Sequence, residues 1–135
     1  MLRIPSPLPD DLELLVTQTI GCCVRVHCAL GPGLLESIYA QALCIEQMTG
    51  IPFERERAVV VTYRHRKIPG QRVDLIVGGA VIVEIKSVEA LAPIHFAQVL
   101  TYLRLSKRRL GILINFNVPQ LKEGVRRIAN DLPDP

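Results

Sequence analysis

Apolar side chains recur every three to four positions through the first third of the chain, which is the spacing of a helix. The pattern predicts a helix over residues 11–30, with Asp10 or Asp11 as its N-cap, and a second over residues 34–49, ending at Gly50. The core face predicted for the second helix consists of Leu35, Ile38, Ala42 and Ile45. We therefore expect the chain to begin with two helices.

The middle of the chain is rich in β-branched residues, which favour strands. One long strand is predicted over residues 52–68. Two shorter and more apolar strands, over residues 73–77 and 80–86, flank Gly78 and Gly79. Because both short strands are almost continuously apolar, we expect them to be buried on both faces.

The C-terminal part returns to helix and then strand. Pro93 suits the first turn of a helix that ends near Ser106, and residues 110–116 follow as a buried strand, parallel to the one before the helix. A short helix is expected after Pro119, carrying Lys122, Arg126 and Arg127. The prediction is an α/β fold with a mixed sheet of about four strands, in the order helix-helix-strand-strand-strand-helix-strand, flanked by helices.

The length of 135 residues and the 49% hydrophobic content fit one globular domain, predicted over residues 11–130. Residues 1–10 are predicted to be an extended, proline-rich arm, and residues 131–135 a tail. No apolar stretch reaches membrane-spanning length and the N-terminus lacks a signal-peptide core, so we expect a cytoplasmic protein without a membrane partner. The four cysteines, without CxxC spacing, are expected to be reduced and buried.

Asp74, Glu84 and Lys86 are the only charges inside the two short strands. Burying unpaired ions is strongly unfavourable, so these side chains are expected to face a site or share a cation. A two-residue turn would put Glu84 on the face opposite Asp74, whereas a three-residue connection, residues 78–80, pairs the two carboxylates on one face. We predict the three-residue register, with a divalent cation between the carboxylates.

Basic residues crowd the end of the long predicted strand: Arg64, His65, Arg66 and Lys67, with Arg72 just beyond. Such a cluster is usually a solvated tip, but it could instead contact nucleic-acid phosphates. The net charge of +3 agrees with a polyanionic partner. Aromatic residues make up only 4% of the chain, so no base-stacking platform is predicted.

Glu36, Gln98 and the Cys23–His27 pair have ordinary structural explanations on spacing alone. Glu36 suits the first turn of a helix, where the dipole favours an acid. Gln98 belongs to a polar stripe, with His95 and Tyr102, of the kind more often found at a helix surface. Cys23 and His27 share the i, i+4 spacing of metal ligands, but a structural role is favoured because no further ligands are apparent.

Several blocks, in order and over residues 11–128, resemble the GxxExxY protein family of the PD-(D/E)XK nuclease superfamily. They comprise residues 33–39 (GLLESIY), 72–75 (RVDL), 83–86 (VEIK), 95–98 (HFAQ) and 113–116 (LINF). Val73 stands where the superfamily often has proline before the aspartate. Spaced blocks are a far more specific signal than an isolated Asp and Glu-x-Lys.

The resemblance implies a PD-(D/E)XK nuclease-like core and changes the reading of three residues. Glu36 becomes a candidate site carboxylate, Tyr39 its site-lining partner, and Gln98 the polar residue on the helix after Glu-x-Lys. The implied catalytic set is Asp74, Glu84, Lys86, Gln98, Glu36 and Tyr39. The implied ligands of Mg²⁺ or Mn²⁺ are Asp74, Glu84, Ile85 through its carbonyl, and Glu36.

The function that this resemblance implies is magnesium-dependent hydrolysis of phosphodiester bonds in DNA or RNA. Arg64, Arg66, Lys67 and Arg72 are then the candidate nucleic-acid-binding residues. A homodimer is one arrangement by which a fold of this size grips a duplex. The alternative is a catalytically inactive nuclease-fold protein that acts as a nucleic-acid-binding or protein-interaction module.

Overall fold

Three helices and seven strands make up the described part of the computed structural model, which is residues 10–47 and 50–130. Their bounds are α1 Asp10–Leu30, α2 Glu36–Gln47, β1 Phe53–Ala58, β2 Val61–Tyr63, β3 Arg66–Ile68, β4 Arg72–Val77, β5 Val81–Lys86, α3 Pro93–Ser106, β6 Leu110–Asn115 and β7 Val125–Ala129. The predicted tail and all of the predicted arm except Asp10 lie outside these residues.

Five strands form one mixed sheet in the order β1-β4-β5-β6-β7. Neighbours in it are antiparallel except β5 and β6, which are parallel and joined by α3, as predicted. The expected short helix after Pro119 is only a 3₁₀ turn, Leu121–Glu123, and Arg126 and Arg127 lie in β7 instead. The added strand has a physical reason, because β7 pairs the backbone of fully buried β6 that would otherwise form an edge.

The helices lie in two layers against the sheet. One buried cluster joins side chains of α1 and α2 to Val81, Val83 and Ile85 of β5, and a second cluster joins α3 to Ile82 of the same strand. Side chains of a strand alternate between faces, so α1 and α2 cover one face and α3 covers the other. Asp74 and Glu84 are two residues from Ile76 and Ile82 of the second cluster, which places them on the side of α3.

The register between β4 and β5 is the predicted one, with Val77 opposite Val81. The connection begins with Gly78 and Gly79, at φ of 58° and 68°, a left-handed conformation that glycine adopts without a Cβ penalty. The Ala80 amide then donates to the Val77 carbonyl over 3.0 Å. Continued by one step beyond the Leu75–Val83 pair, this register brings Asp74 level with Glu84.

The single long strand predicted over residues 52–68 is wrong, because the chain leaves the main sheet after β1. Strands β2 and β3 form a separate antiparallel hairpin that turns at Arg64 and His65. The Val59 amide donates to the Gln71 carbonyl over 2.9 Å and so ties the base of this hairpin to the start of β4. The β-branched residues at positions 59–62 run across the break, so the sequence does not reveal it.

The core face predicted for α2 is also wrong. Leu35 and Ile45 are 74% and 69% exposed, and Ile38 is 42% exposed, whereas Tyr39 and Leu43 are fully buried. The ring of Tyr39 stacks on Phe116 with centroids 4.5 Å apart, which is worth about 0.5–1.5 kcal/mol beyond area burial. Burial of the larger tyrosine therefore sets the rotation of the helix.

The cysteines are free, as expected, but only Cys22 and Cys23 are buried, and Cys28 is exposed. His27 donates through Nε2 to the carbonyl of Val118 over 2.8 Å, which supports the structural explanation of the Cys23–His27 spacing. In the described ranges no helix is long and apolar enough to cross a membrane.

The turn between β4 and β5 provides a stability test. A Cβ at Gly78 would lie 2.7 Å from Leu15 Cδ1, whereas one at Gly79 would meet nothing within 4 Å. Both positions have positive φ, so Gly79→Ala should cost about 1 kcal/mol, and Gly78→Ala should cost about 2–3 kcal/mol because the clash adds to the backbone strain. Urea unfolding measures both, and equal midpoints for the two variants would contradict this account of the turn.

Candidate active site

Asp74 and Glu84 are locked by reciprocal hydrogen bonds at the point where β4 and β5 separate. The backbone pairing of the two strands runs from Val77–Val81 to Leu75–Val83. At the next level the Asp74 amide donates to Glu84 Oε1 over 2.9 Å, and the Ile85 amide donates to Asp74 Oδ2 over 2.8 Å. Each carboxylate therefore takes the place of a backbone acceptor of the other strand. We call this arrangement the carboxylate fork.

The carboxylate fork concentrates negative charge in a poorly solvated place. Burial, and then the charge of Asp74, raise the pKa of Glu84 to about 8. Burial is also the main reason that the pKa of Asp74 is raised, and the carboxylate of Glu36 raises it further. Hydrogen bonds from the backbone and the charge of Lys86 act in the opposite direction for both groups but do not outweigh burial. The positive charge near the carboxylate fork is therefore too small to keep the pKa values of both carboxyl groups at their ordinary values.

The donor set of the carboxylate fork fits a hard divalent cation. The Ile85 amide points toward Asp74, and in an extended strand the carbonyl of a residue points to the same side as its amide. Two carboxylates and one carbonyl are oxygen ligands of the kind that Mg²⁺ and Mn²⁺ prefer. Within residues 10–47 and 50–130, no three His, Cys, Asp or Glu side chains converge closely enough to form a metal cluster by themselves.

Lys86 and Gln98 meet beside the carboxylate fork. Lys86 Nζ donates to Gln98 Oε1 over 3.0 Å, which joins the end of β5 to the first half of α3. Tyr102, one turn further along α3, is buried and accepts a hydrogen bond of 2.7 Å from Gln71 Nε2. Gln98 and Tyr102 of the polar stripe are therefore turned toward the sheet rather than toward solvent.

Glu36 reaches the same end of β5 from the opposite helical layer. Its Oε1 accepts a hydrogen bond of 3.3 Å from the Ser87 amide, and Ser87 Oγ donates to the Leu34 carbonyl over 2.6 Å. These two contacts place the first turn of α2 against the residue that follows Lys86. Glu36 is exposed, so its carboxylate remains accessible to a ligand.

Tyr39 has a different position from the site-lining one that the resemblance suggests. Its hydroxyl donates to the Gly31 carbonyl over 2.6 Å and accepts from the Leu34 amide over 3.1 Å, and the residue is fully buried. Both contacts are within the loop before α2. Tyr39 thus holds the loop that presents Glu36, and no contact of its hydroxyl with the carboxylate fork is observed among the described residues.

Asn115 is a supporting residue that the sequence analysis did not single out. It is 2% exposed and ends β6 level with Lys86. Its Oδ1 accepts from the amides of Val88 and Asn117, both at 3.1 Å, and its Nδ2 donates to the Val88 carbonyl over 2.9 Å. An asparagine closing an otherwise apolar strand was the available signal, since a buried amide needs partners.

The four candidate nucleic-acid-binding residues are all exposed but lie apart from the carboxylate fork. Arg64 occupies the turn of the β2–β3 hairpin, and Arg66 and Lys67 begin β3. Arg72 is the closest of the four in sequence, two residues before Asp74 at the start of β4. The structure thus puts three of the basic residues on a separate hairpin and one at the start of the strand that carries Asp74.

A comparison with protein families gives one match, to a family model described as the PD-(D/E)XK nuclease superfamily, over residues 13–128. The matched region includes every candidate catalytic and metal-binding residue named above. Neither the curated proteins nor the solved structures searched contain a significant match to the chain.

The raised pKa of Glu84 predicts how stability depends on pH without metal. The folded protein binds the proton more tightly than the unfolded chain, so stability should fall as pH rises from the ordinary glutamate value of about 4.5 to about 8. Glu84→Gln should flatten this dependence, and Glu123→Gln, at an exposed carboxylate, should not. Urea unfolding in EDTA across this pH range measures it, and an unchanged slope in Glu84→Gln would refute the assignment.

The Asn115 contacts give a second stability prediction. Asn115→Ala removes three hydrogen bonds and leaves the half-buried amides of Val88 and Asn117 without the side-chain oxygen that accepts from both, at a cost of about 2–3 kcal/mol. Asn117→Ala is the matched control, because the Asn117 side chain makes a single hydrogen bond, from Nδ2 to the Val88 carbonyl over 3.3 Å. This substitution should cost under about 1 kcal/mol. Similar losses in the two variants would mean that Asn115 does not anchor this segment.

Proposed function

The chain belongs to the PD-(D/E)XK nuclease superfamily, and from this premise we propose that it is a nuclease that hydrolyses phosphodiester bonds in DNA or RNA. The observation that carries the proposal is the carboxylate fork, with Lys86 and Gln98 bonded to each other beside it. Membership of the GxxExxY family, a cytoplasmic location and a homodimer belong to the same proposal.

A divalent ion is the cofactor that this proposal requires, and nucleases of the superfamily generally use one. Asp74, Glu84 and the Ile85 carbonyl would hold Mg²⁺ or Mn²⁺, with Glu36 as a further carboxylate at the rim. Such an ion supplies Lewis-acid polarisation of the phosphoryl oxygen and lowers the pKa of water. The hydrogen bonds from the Asp74 and Ile85 amides fix one oxygen of each carboxylate before any ligand arrives.

Lys86 supplies positive charge beside the carboxylate fork. Hydrolysis joins a water oxygen to phosphorus and breaks the bond from phosphorus to a sugar oxygen, and negative charge builds on the phosphoryl oxygens in between. An ammonium aimed at these oxygens, or at the attacking water, stabilises that arrangement. Gln98 accepts a hydrogen bond from one N–H of Lys86 and so holds the ammonium in place. The other two N–H groups of the ammonium remain available.

The basic surface is assigned to substrate binding. Arg64, Arg66, Lys67 and Arg72 would contact phosphates, since each is exposed. Phosphate contacts by lysine and arginine position the nucleic acid without reading its sequence and make binding salt-dependent. Arg72, two residues from Asp74, is the contact closest to the cleaved bond in this arrangement.

Replacement of one fork carboxylate tests the proposal. Asn at position 74 keeps an oxygen that accepts the Ile85 amide but removes the charge, so Asp74→Asn should fold. It should lose Mn²⁺ binding in calorimetry and lose cleavage of plasmid, single-stranded DNA or RNA by about 100-fold or more. Glu123→Gln should behave like the wild type. If the folded wild type binds no Mn²⁺ and cleaves none of these substrates, the nuclease proposal is wrong.

Replacement of Lys86 should lower the rate of cleavage and leave metal binding unchanged. Lys86→Ala is expected to bind Mn²⁺ as the wild type does and to lower the cleavage rate by about 100-fold. Lys122→Ala, at an exposed lysine of the 3₁₀ turn, is the control and should retain full activity. Full activity of Lys86→Ala at saturating Mn²⁺ would remove Lys86 from the mechanism.

A further inference from the structure

Tyr63, at the end of β2, is the one aromatic side chain that the fold leaves largely in solvent. The chain has six aromatic residues, all within the described ranges, and Tyr63 is 62% exposed. Tyr39, Tyr102 and Phe116 are buried, and Phe53 and Phe96 are half-buried. The hairpin that carries Tyr63 is not part of the main sheet. Its ring therefore contributes little to the core of the protein.

Positive charge surrounds this ring. The Arg64 guanidinium carbon lies 5.5 Å from the ring centroid, and Arg66 is the cross-strand partner of Tyr63, so its side chain projects from the same face of the hairpin. Lys67 follows on the other face, opposite Thr62. Residues 61–73 contain no Asp or Glu. An exposed aromatic ring among cations, without neighbouring acids in the segment, suits bases together with phosphates.

The turn of the hairpin places Arg64 and His65 in a backbone conformation that is unfavourable for both residues. Arg64 and His65 have φ of 50° and 64°, and two such residues in a row are the positions where hairpins prefer Asn and Gly. Neither residue is glycine, asparagine or aspartate. Residues that keep an unfavourable backbone conformation at a solvent-exposed turn are typical of a functional element.

The base of the hairpin is joined to β4, the strand that carries Asp74. A cavity of about 450 Å³ lies where the ends of the hairpin meet the start of β4, and its wall includes Val60, Lys67, Pro69 and Arg72. Arg72 leads directly into Asp74, and the Val59–Gln71 backbone bond ties the base of the hairpin to the same strand. A strand of nucleic acid bound along the hairpin would therefore lie next to the start of β4.

We infer that the β2–β3 hairpin binds a single-stranded segment of the substrate, with one unpaired base stacked on Tyr63 and phosphates held by Arg64, Arg66 and Lys67. This deepens the proposed function and rests on it for the reaction, but the binding itself requires neither metal nor cleavage. Inside a duplex both faces of a base are covered by its neighbours, so only an unpaired base offers a face to the ring.

Fluorescence anisotropy in EDTA tests the inference with labelled oligothymidylate, oligouridylate and an abasic oligonucleotide of equal length. Tyr63→Ala should weaken binding of at least one of the two base-containing strands about tenfold. Tyr63→Phe, which keeps the ring, should bind within about twofold of the wild type. The abasic strand, which keeps only phosphates and sugars, should bind all three proteins alike. Equal binding by wild type and Tyr63→Ala, or tighter binding of duplex than of single strands by the wild type, would overturn the inference.

Arg66→Ala separates the two kinds of contact, because it should weaken the abasic and the base-containing strands equally and lower the salt dependence of both. Thermal unfolding of all variants checks that an exposed hairpin residue has been changed without loss of the fold. Cleavage by the wild type is measured separately with Mn²⁺. Cleavage without any effect of Tyr63 refutes the inference alone, and Tyr63-dependent binding without cleavage refutes the proposed nuclease activity alone.

Discussion

The reciprocal hydrogen bonds between Asp74 and Glu84 are the interaction on which the rest of the site depends. Two carboxyl groups are held side by side in a poorly solvated place because the amides of Asp74 and Ile85 donate to them across the strands. A slip of one residue in the register would turn Glu84 to the opposite face and abolish both bonds. The left-handed turn at Gly78 and Gly79 is therefore as necessary to the site as the carboxylates themselves.

Supports for this arrangement come from elements far apart in the sequence and from both sides of the sheet. Glu36 reaches the Ser87 amide from the layer of α2, Gln98 holds Lys86 from α3, and Asn115 fixes the segment after β5 from β6. Each support is a hydrogen bond to the end of β5 or to the residues directly after it. The five-stranded sheet thus provides a rigid base, and the chemistry is concentrated at one end of one strand.

The sequence predicts well those parts of the fold for which the positions of apolar and charged residues are compatible with only one arrangement. The register of β4 and β5 followed from the need to put Asp74 and Glu84 together, and the parallel strand after α3 followed from connection rules. The face of α2 was mispredicted because Leu35 and Ile45 have helical spacing, and burial of Tyr39 against Phe116 is a tertiary effect. The break after β1 falls within a run of β-branched residues at positions 59–62, so neither the break nor the exposed ring of the hairpin could be predicted.

Crystals soaked with Mn²⁺ test the central claim most directly, since anomalous scattering locates the ion without reference to activity. The account predicts one anomalous peak in contact with Asp74, Glu84 and the Ile85 carbonyl, and no peak at that place in Asp74→Asn crystals. A well-ordered carboxylate fork with no peak, or with the ion bound elsewhere, would contradict it. In that case the reciprocal bonds of Asp74 and Glu84 would be a feature of the fold alone.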